Sequence, residues 1–277
     1  MGAFERSPVR RTSRAAAAAI ALGALLLLTG CGQRSEPTGA KVDLYPVTVE
    51  QPSGPPIVLE HRPATVAALT PQAAALLSSL MGKKIEPQRS VGNAELVVTT
   101  PESLSPRSAG VYIAPDESID DVERALTQLG LLIDRPLRAR ELVAEIKAKR
   151  KFVRAHLKGV KPVSVFVDTG FFITVSTNTL LGDLITEAGG TNVAGPAPQA
   201  GPFSVRKLLE LNPDYYLASS DSGTTIADLR RDPRTRRLEA IRQGHFAVLA
   251  AKVVQPGGEV GAELLAIARY LHADAFR

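Results

Sequence analysis

The stretch VFVDTGFFITVSTNTLLGDLITEAGGTNV, residues 165–193, decides how the rest of the chain is read. It begins in a short apolar, β-branched run that reaches back to Val163, the pattern of a strand buried on both faces. It then turns aromatic and polar through Gly170, Phe171 and Phe172, followed by the hydroxyl and amide groups of Thr174, Ser176, Thr177 and Asn178. From Thr179 the apolar spacing becomes helical, with Asn178 or Thr179 as N-cap and Gly189-Gly190 as the stop. A buried strand, a loop and a returning helix make one αβ unit of a parallel sheet.

The pattern repeats on both sides. C-terminal to it come a short helix at 204–211, a strand at 215–218, a helical turn at 238–242 ending at Gly244, a strand at 246–249 and a last helix at 260–271. N-terminal to it, residues 136–158 carry the longest helical period, with Leu142, Val143, Ile146, Val153 and Leu157 as its apolar stripe. Its carboxylates Glu141 and Glu145 lie early and its lysines and arginines late, both favourable to the helix dipole. Acidic residues share this helix, so its basic run reads as a solvated face and not as a nucleic-acid surface. Further back, residues 65–69 read as a strand, and Thr70-Pro71 opens a helix that stops at Gly82. Strands follow at 96–98 and 111–113, then a helix begun by Ser118-Ile-Asp-Asp121 and stopped at Gly130. Two αβ series joined by one long helix predict an α/β protein of two lobes, each with a mainly parallel sheet.

The N-terminus has another character. Arg6, Arg10, Arg11 and Arg14 precede an uncharged run of 14 residues, 15–28, too short for a spanning helix of roughly 20 residues but right for a signal-peptide core. Leu28-Thr29-Gly30-Cys31 follows, with the chain's only cysteine. This resembles the lipobox of bacterial lipoproteins, which implies cleavage before Cys31 and acylation of its thiol. The expected division is a signal peptide at 1–30, a flexible tether at 31–56, a first lobe at 57–134, a linking helix at 135–159 and a second lobe at 160–277. Residues 42–49 alternate weakly and are a candidate edge strand. Of the 33 basic and 28 acidic residues, four Arg and Glu5 lie in the signal, leaving 29 and 27, so the mature chain is close to neutral. That balance gives no support for nucleic-acid binding. A lone cysteine excludes a disulfide framework and a cysteine-based zinc site.

The second half resembles the helical-backbone class of ABC-transporter solute-binding proteins, whose members bind ferric siderophores, cobalamin or haem. Four segments carry the likeness in order: residues 165–193, similar to the family's strand, ligand-facing loop and helix ending in Gly-Gly-x-Asn; FSVRKLLELNPD at 203–214; DPRTRRLEAIRQGHF at 232–246; and Pro256-Gly257 with Leu271-His-Ala-Asp-Ala-Phe276, where Ala273 stands in place of a frequent proline. In the first half Val66-Ala-Ala-Leu-Thr-Pro-Gln72 and residues 109–130 are similar to the opening and closing units of that family's first lobe. Only Val91-Gly-Asn-Ala-Glu95 precedes Leu96 where the family has another helix, so this lobe reads as shortened by about one αβ unit. The resemblance also implies a surface glutamate on a short helix of each lobe for docking on the permease. The matching second-lobe position is Arg206, beside Lys207.

Open α/β sheets place ligands at the carboxyl ends of their strands. The candidate ligand-binding residues are therefore Phe171, Phe172, Thr174, Ser176, Thr177 and Asn178 in the second lobe, and Thr70, Gln72 and Thr99, with Thr100, in the first. Adjacent phenylalanines stack on flat ligands or else pack in the core; the hydroxyl groups line a ligand or else cap helices. Arg234, in the cluster Arg230, Arg231, Arg234, Arg236 and Arg237, is the candidate contact for an anionic chelate. No nucleophile elbow, P-loop or H-E-x-x-H motif is present, and His61, His156, His245 and His272 are widely spaced, so no catalytic and no metal-ligating residues are assigned. The expectation is a lipid-anchored, monomeric solute-binding protein on the outer face of the cell membrane, with a small-molecule ligand and an ABC permease as partners. It has no cofactor of its own, and any iron or cobalt belongs to the ligand. The competing expectation is a structural or partner-binding lipoprotein that kept the fold and lost the solute site.

Overall fold

The computed structural model describes residues 44–101, 110–196, 202–250 and 255–277. The expected signal peptide, Cys31 and the expected tether as far as residue 43 lie outside them. A short antiparallel pair comes first, β1 (Val47–Val49) with β2 (Ile57–Leu59). The first-lobe sheet is parallel, in the order β3 (Val66–Ala68), β4 (Leu96–Thr99), β5 (Val111–Ile113). The second-lobe sheet is parallel as well, in the order β7 (Gly190–Asn192), β6 (Val163–Asp168), β8 (Tyr215–Ser219), β9 (Phe246–Leu249). Helices α1 (Pro71–Met81) and α2 (Ile119–Leu132) belong to the first lobe, and α3 (Pro136–His156) links the lobes. Helices α4 (Leu180–Glu187), α5 (Val205–Leu211), α6 (Ile226–Arg231), α7 (Glu239–Gln243) and α8 (Val260–Leu271) belong to the second.

Strand β6 explains the layering. Its side chains alternate: Val165 and Val167 join a core shared with α3, α4 and α8, while Phe166 joins a second core with Phe203, Leu208, Tyr216, Leu229 and Ile241 on the opposite face. The second lobe is thus covered on both faces, as a parallel sheet requires. The larger core runs without a break from α1 and α2 through Ala139, Leu142, Ile146 and Val153 of α3 into α4 and α8. Glycines let the backbones approach. A Cβ on Gly261 would lie 3.0 Å from the Cα of Ile146, and one on Gly258 2.6 Å from Leu142.

A buried ionic hub crosses the same seam. Arg150 of α3 pairs with Asp120 and with Glu123 (2.9 Å) of α2, and on its other side with Glu187 of α4. Arg154 is 2.9 Å from Glu187 and Lys147 3.6 Å from Glu123. The side chains of Arg150 and Glu123 are each only 11% exposed. Burial works to raise the Glu187 carboxyl, but hydrogen bonds and charge from Arg150 and Arg154 outweigh it and hold that group below its ordinary value. Asp183, in the first turn of α4, accepts the backbone N–H of Ile119 (2.9 Å); burial raises its pKa.

The structure corrects two of the expected boundaries. The tether does not reach residue 56, because β1 packs Val47 and Val49 into the core. The Gln51 side chain then acts as a strand extension: its amide oxygen accepts from Ile113 N–H (2.7 Å), and its nitrogen donates to Val111 C=O (3.2 Å), closing the free edge of β5. Gly130 is not a stop, since α2 continues to Leu132. A Cβ there would lie 2.4 Å from the Cβ of Ala139, so the glycine serves close packing of α2 on α3. Strand β7 and helix α6 carry too few apolar positions to show a period. The gap in the first lobe is as expected: between α1 and β4 the chain runs without a helix and lays Gln88 N–H on the Ala68 carbonyl at the edge of β3 (2.7 Å).

Candidate ligand-binding site

The carboxyl ends of the two sheets face one another. Strand β5 leads into α2, β6 leads through its loop into α4, and the starts of these helices meet at the Ile119–Asp183 hydrogen bond. The loop after β6 is built on Asp168, a residue 2% exposed. Its Oδ1 accepts the backbone N–H groups of Gly170 (2.8 Å) and Phe172 (3.0 Å). Its Oδ2 accepts the hydroxyls of Tyr216 (2.8 Å) and Thr224 (2.9 Å). Burial, and then the negative charge of Asp168, push the Tyr216 hydroxyl far above its ordinary pKa, so it stays a donor. The loop then turns tightly: Ile173 N–H returns to Gly170 C=O (2.9 Å), and Phe171 and Phe172 both have positive φ, +52° and +62°. Positive φ at both central positions is the mark of a type I′ turn, which ordinarily takes Asn-Gly. Two phenylalanines there store backbone strain of about 1–3 kcal/mol each.

That turn divides the phenylalanine pair. Phe172 packs against the second core, and its carbonyl accepts Phe203 N–H (2.8 Å). Phe171 is 85% exposed, more than any other large apolar side chain among the described residues. The next residues divide similarly. Thr174 has a buried hydroxyl without a hydrogen-bond partner. Ser176 and Thr177 form the turn that seats α4: Ser176 Oγ donates to Pro196 C=O (2.8 Å) and accepts Asn178 N–H (3.0 Å), and Thr177 N–H bonds Gly195 C=O (3.0 Å). Gly182 fits against that turn, because a Cβ there would lie 2.4 Å from Ser176 C=O. Of the two candidate caps it is Thr179 that accepts from Gly182 N–H. Asn178 is exposed.

In the first lobe Thr70 caps α1 by accepting Ala73 N–H (3.2 Å), and Thr100 donates to it at 3.4 Å, so these two hydroxyls lie together. Thr99 is fully buried and its hydroxyl has no partner. Gln72 is half-buried on the first turn of α1. Arg234 is held elsewhere: its guanidinium forks onto Asp232 at 2.8–3.1 Å, on the surface. A cavity of 720 Å³ lies between the lobes, bounded by Pro71, Ser78 and Lys83 on one side and Gln255, Gly257 and Glu263 on the other. It touches none of the expected contacts; it follows α1 beside them. Sequence reasoning missed this cavity and missed Asp168, whose single carboxylate at a strand end gives no sequence signal.

Three of the four histidines have structural places. His156 stacks on Phe276, His245 on Tyr215, and His272 bonds Gly189 C=O at 3.0 Å. Among the described residues no group of three His, Cys, Asp or Glu is placed to hold a metal, and no helix is long and apolar enough to cross a membrane. Arg206, at the start of α5, pairs with Glu210 on the surface at 3.1 Å.

Comparison with known proteins agrees with this architecture. The family model described as periplasmic binding protein matches residues 16–253, and the chain belongs to that family. It is an extracytoplasmic, solute-binding family of transport systems rather than one of enzymes. Among solved structures, the chain is similar to Helicobacter pylori CeuE in its Ni-His complex, with 17% identity and a TM-score of 0.70 over 83% of this chain and 89% of that one. It is similar to the haem-binding protein RhuT of Roseiflexus, with 19% identity and a TM-score of 0.64 over 76% and 98%. A protein of an Fe3+-hydroxamate transport system from Saccharomonospora viridis gives 17% identity and a TM-score of 0.65 over 82% and 99%. The search of curated proteins found no match.

Proposed function

We propose that this is the solute-binding lipoprotein of an ABC importer, anchored outside the cytoplasm through acylated Cys31, which captures an iron-siderophore, cobalamin or haem-like ligand between its lobes. The observation that carries the reading is the fixed presentation of Phe171: an 85% exposed aromatic ring on a turn pinned by a buried carboxylate, at the carboxyl end of a parallel sheet. An exposed phenylalanine on a strained turn has no packing role that accounts for it. In this reading Phe171 supplies an apolar platform, Thr70 and Gln72 add polar contacts from the first lobe, and Phe172, Thr174, Ser176, Thr177 and Asn178 shape the loop, while the fully buried Thr99 lies behind the ligand surface. Arg234 is the weakest of the expected contacts, because Asp232 already neutralises it. The continuous core and the Arg150 hub oppose wide hinge motion, so capture proceeds with little lobe closure. The ligand brings any iron or cobalt with it, and the receptor acts as a monomer.

The test is isothermal titration of the mature chain, in detergent micelles, with hemin, cobalamin and ferric siderophores, beside palmitate labelling of cells expressing the Cys31→Ser variant. Saturable binding of one ligand and loss of label support the proposal; no binding of any ligand overturns the importer role, and retained label overturns the anchor. The second reading, a lipoprotein that kept the fold for another partner, draws on two observations: a loop in place of a helix between α1 and β4, and Arg206 bound to Glu210 at the expected docking position.

A further inference from the structure

We infer that Asp168 is the positioning residue of this site: one buried carboxylate that holds the Phe171 turn and the loop after β8 in a single arrangement before any ligand arrives. This deepens the proposed function and rests on Phe171 being a ligand contact. Asp168 sits at the end of β6, and its four donors come from three segments. Gly170 and Phe172 belong to the strained turn, Tyr216 to the neighbouring strand β8, and Thr224 to the loop that follows β8. The two loops are in contact, for a Cβ on Gly170 would lie 3.6 Å from the Cα of Ser222. A charge this buried needs donors on both oxygens, and it has two on each. No cation is among these donors, so hydrogen bonds alone stabilise it.

The geometry also fixes how substitutions should differ. In Asp168→Asn the amide oxygen keeps the two backbone N–H groups, and the new NH₂ faces two hydroxyls, which can rotate to accept. The turn is retained. In Asp168→Ala both amides lose their acceptor, and nothing opposes relaxation of two phenylalanines out of positive φ. The effect on ligand runs only through Phe171.

Two measurements on the full chain decide this. The first is ligand-free amide hydrogen exchange over the 168–173 segment. Asp168→Ala is expected to speed exchange at Gly170 and Phe172 by roughly tenfold or more, with β6 and β8 unaltered, and Asp168→Asn to leave it near wild type. Unchanged exchange in the alanine variant, or equal acceleration throughout both strands, overturns the inference. The second is a double-mutant cycle with hemin as the probe, read by its absorbance. Asp168→Ala and Phe171→Ala are each expected to weaken binding, and the double variant no more than Phe171→Ala alone. Independent, multiplying losses overturn the positioning role. If the wild-type chain binds no hemin, the haem reading fails, and the exchange measurement still decides the role of Asp168.

Discussion

Replacing Arg150 by methionine removes the one side chain among the described residues that pairs with carboxylates of both lobes. Breaking a buried ion pair from one side costs about 3–5 kcal/mol, because the partner charge is left uncompensated. Here the loss is smaller. Arg154 remains 2.9 Å from Glu187, Lys147 remains 3.6 Å from Glu123, and Asp120, with its side chain 71% exposed, returns to water. A destabilisation of about 2–3 kcal/mol is expected, which for a body of this size lowers Tm by roughly 4–12 °C. The pH dependence follows from the shifted groups. Glu187 and Asp120 are held below their ordinary values, so their contribution is complete above the unfolded carboxylate range, about pH 4–4.5, and is lost as pH falls through the depressed folded values. Asp183 has the opposite sign: its pKa is raised, so protonation on acidification favours the folded state and offsets part of that loss. Urea unfolding of wild type and Arg150→Met at pH 7 and pH 3 should show a gap that narrows in acid. A gap below about 1 kcal/mol at pH 7, or one of equal size at both pH values, would mean that Arg150 does not hold the lobes together through these carboxylates.

Two further substitutions test the packing. Gly130→Ala should destabilise by about 1–2 kcal/mol despite alanine's higher helix propensity, because the new methyl meets Ala139 at 2.4 Å, and Ala139→Gly in the same chain should restore the loss; thermal unfolding of the three variants measures it. Thr99→Val should leave the ligand-free chain within about 1 kcal/mol of wild type or raise its stability, since the buried hydroxyl it removes has no partner. A loss of several kcal/mol in calorimetry would mean that this hydroxyl is bonded in the folded protein.

Elements whose signal is local were legible in the sequence. Helix α1 announces itself through Thr70-Pro71 and Gly82, and α4 through Thr179 and Gly189, because caps and stops act on neighbouring backbone groups. Elements that depend on distant partners were not. Arg150 finds Asp120 and Glu187 from 30 and 37 residues away, and Gln51 finds β5 from about 60. Gly130 looks like a helix stop because the sequence shows the missing side chain but not the helix it admits. In the site, the aromatic pair was visible, yet its division into an exposed Phe171 and a packed Phe172 depends on positive φ values that phenylalanine rarely adopts. Those values follow from the hydrogen bonds of Asp168, which no local pattern shows. Local propensity fails at this turn, as it does where function holds a backbone against its preference.

If the two lobes fixed by α3 hold a preformed ligand site, calorimetric Tm shifts of the mature chain will register its ligand. With hemin, cobalamin and ferric siderophores each supplied in excess, one ligand at about a hundred times its Kd should stabilise the fold by about 2.7 kcal/mol, a rise of roughly 5–11 °C, and Phe171→Ala should reduce that rise at the same ligand concentration. An unchanged Tm with every ligand, or a rise that Phe171→Ala leaves intact, would rule that site out.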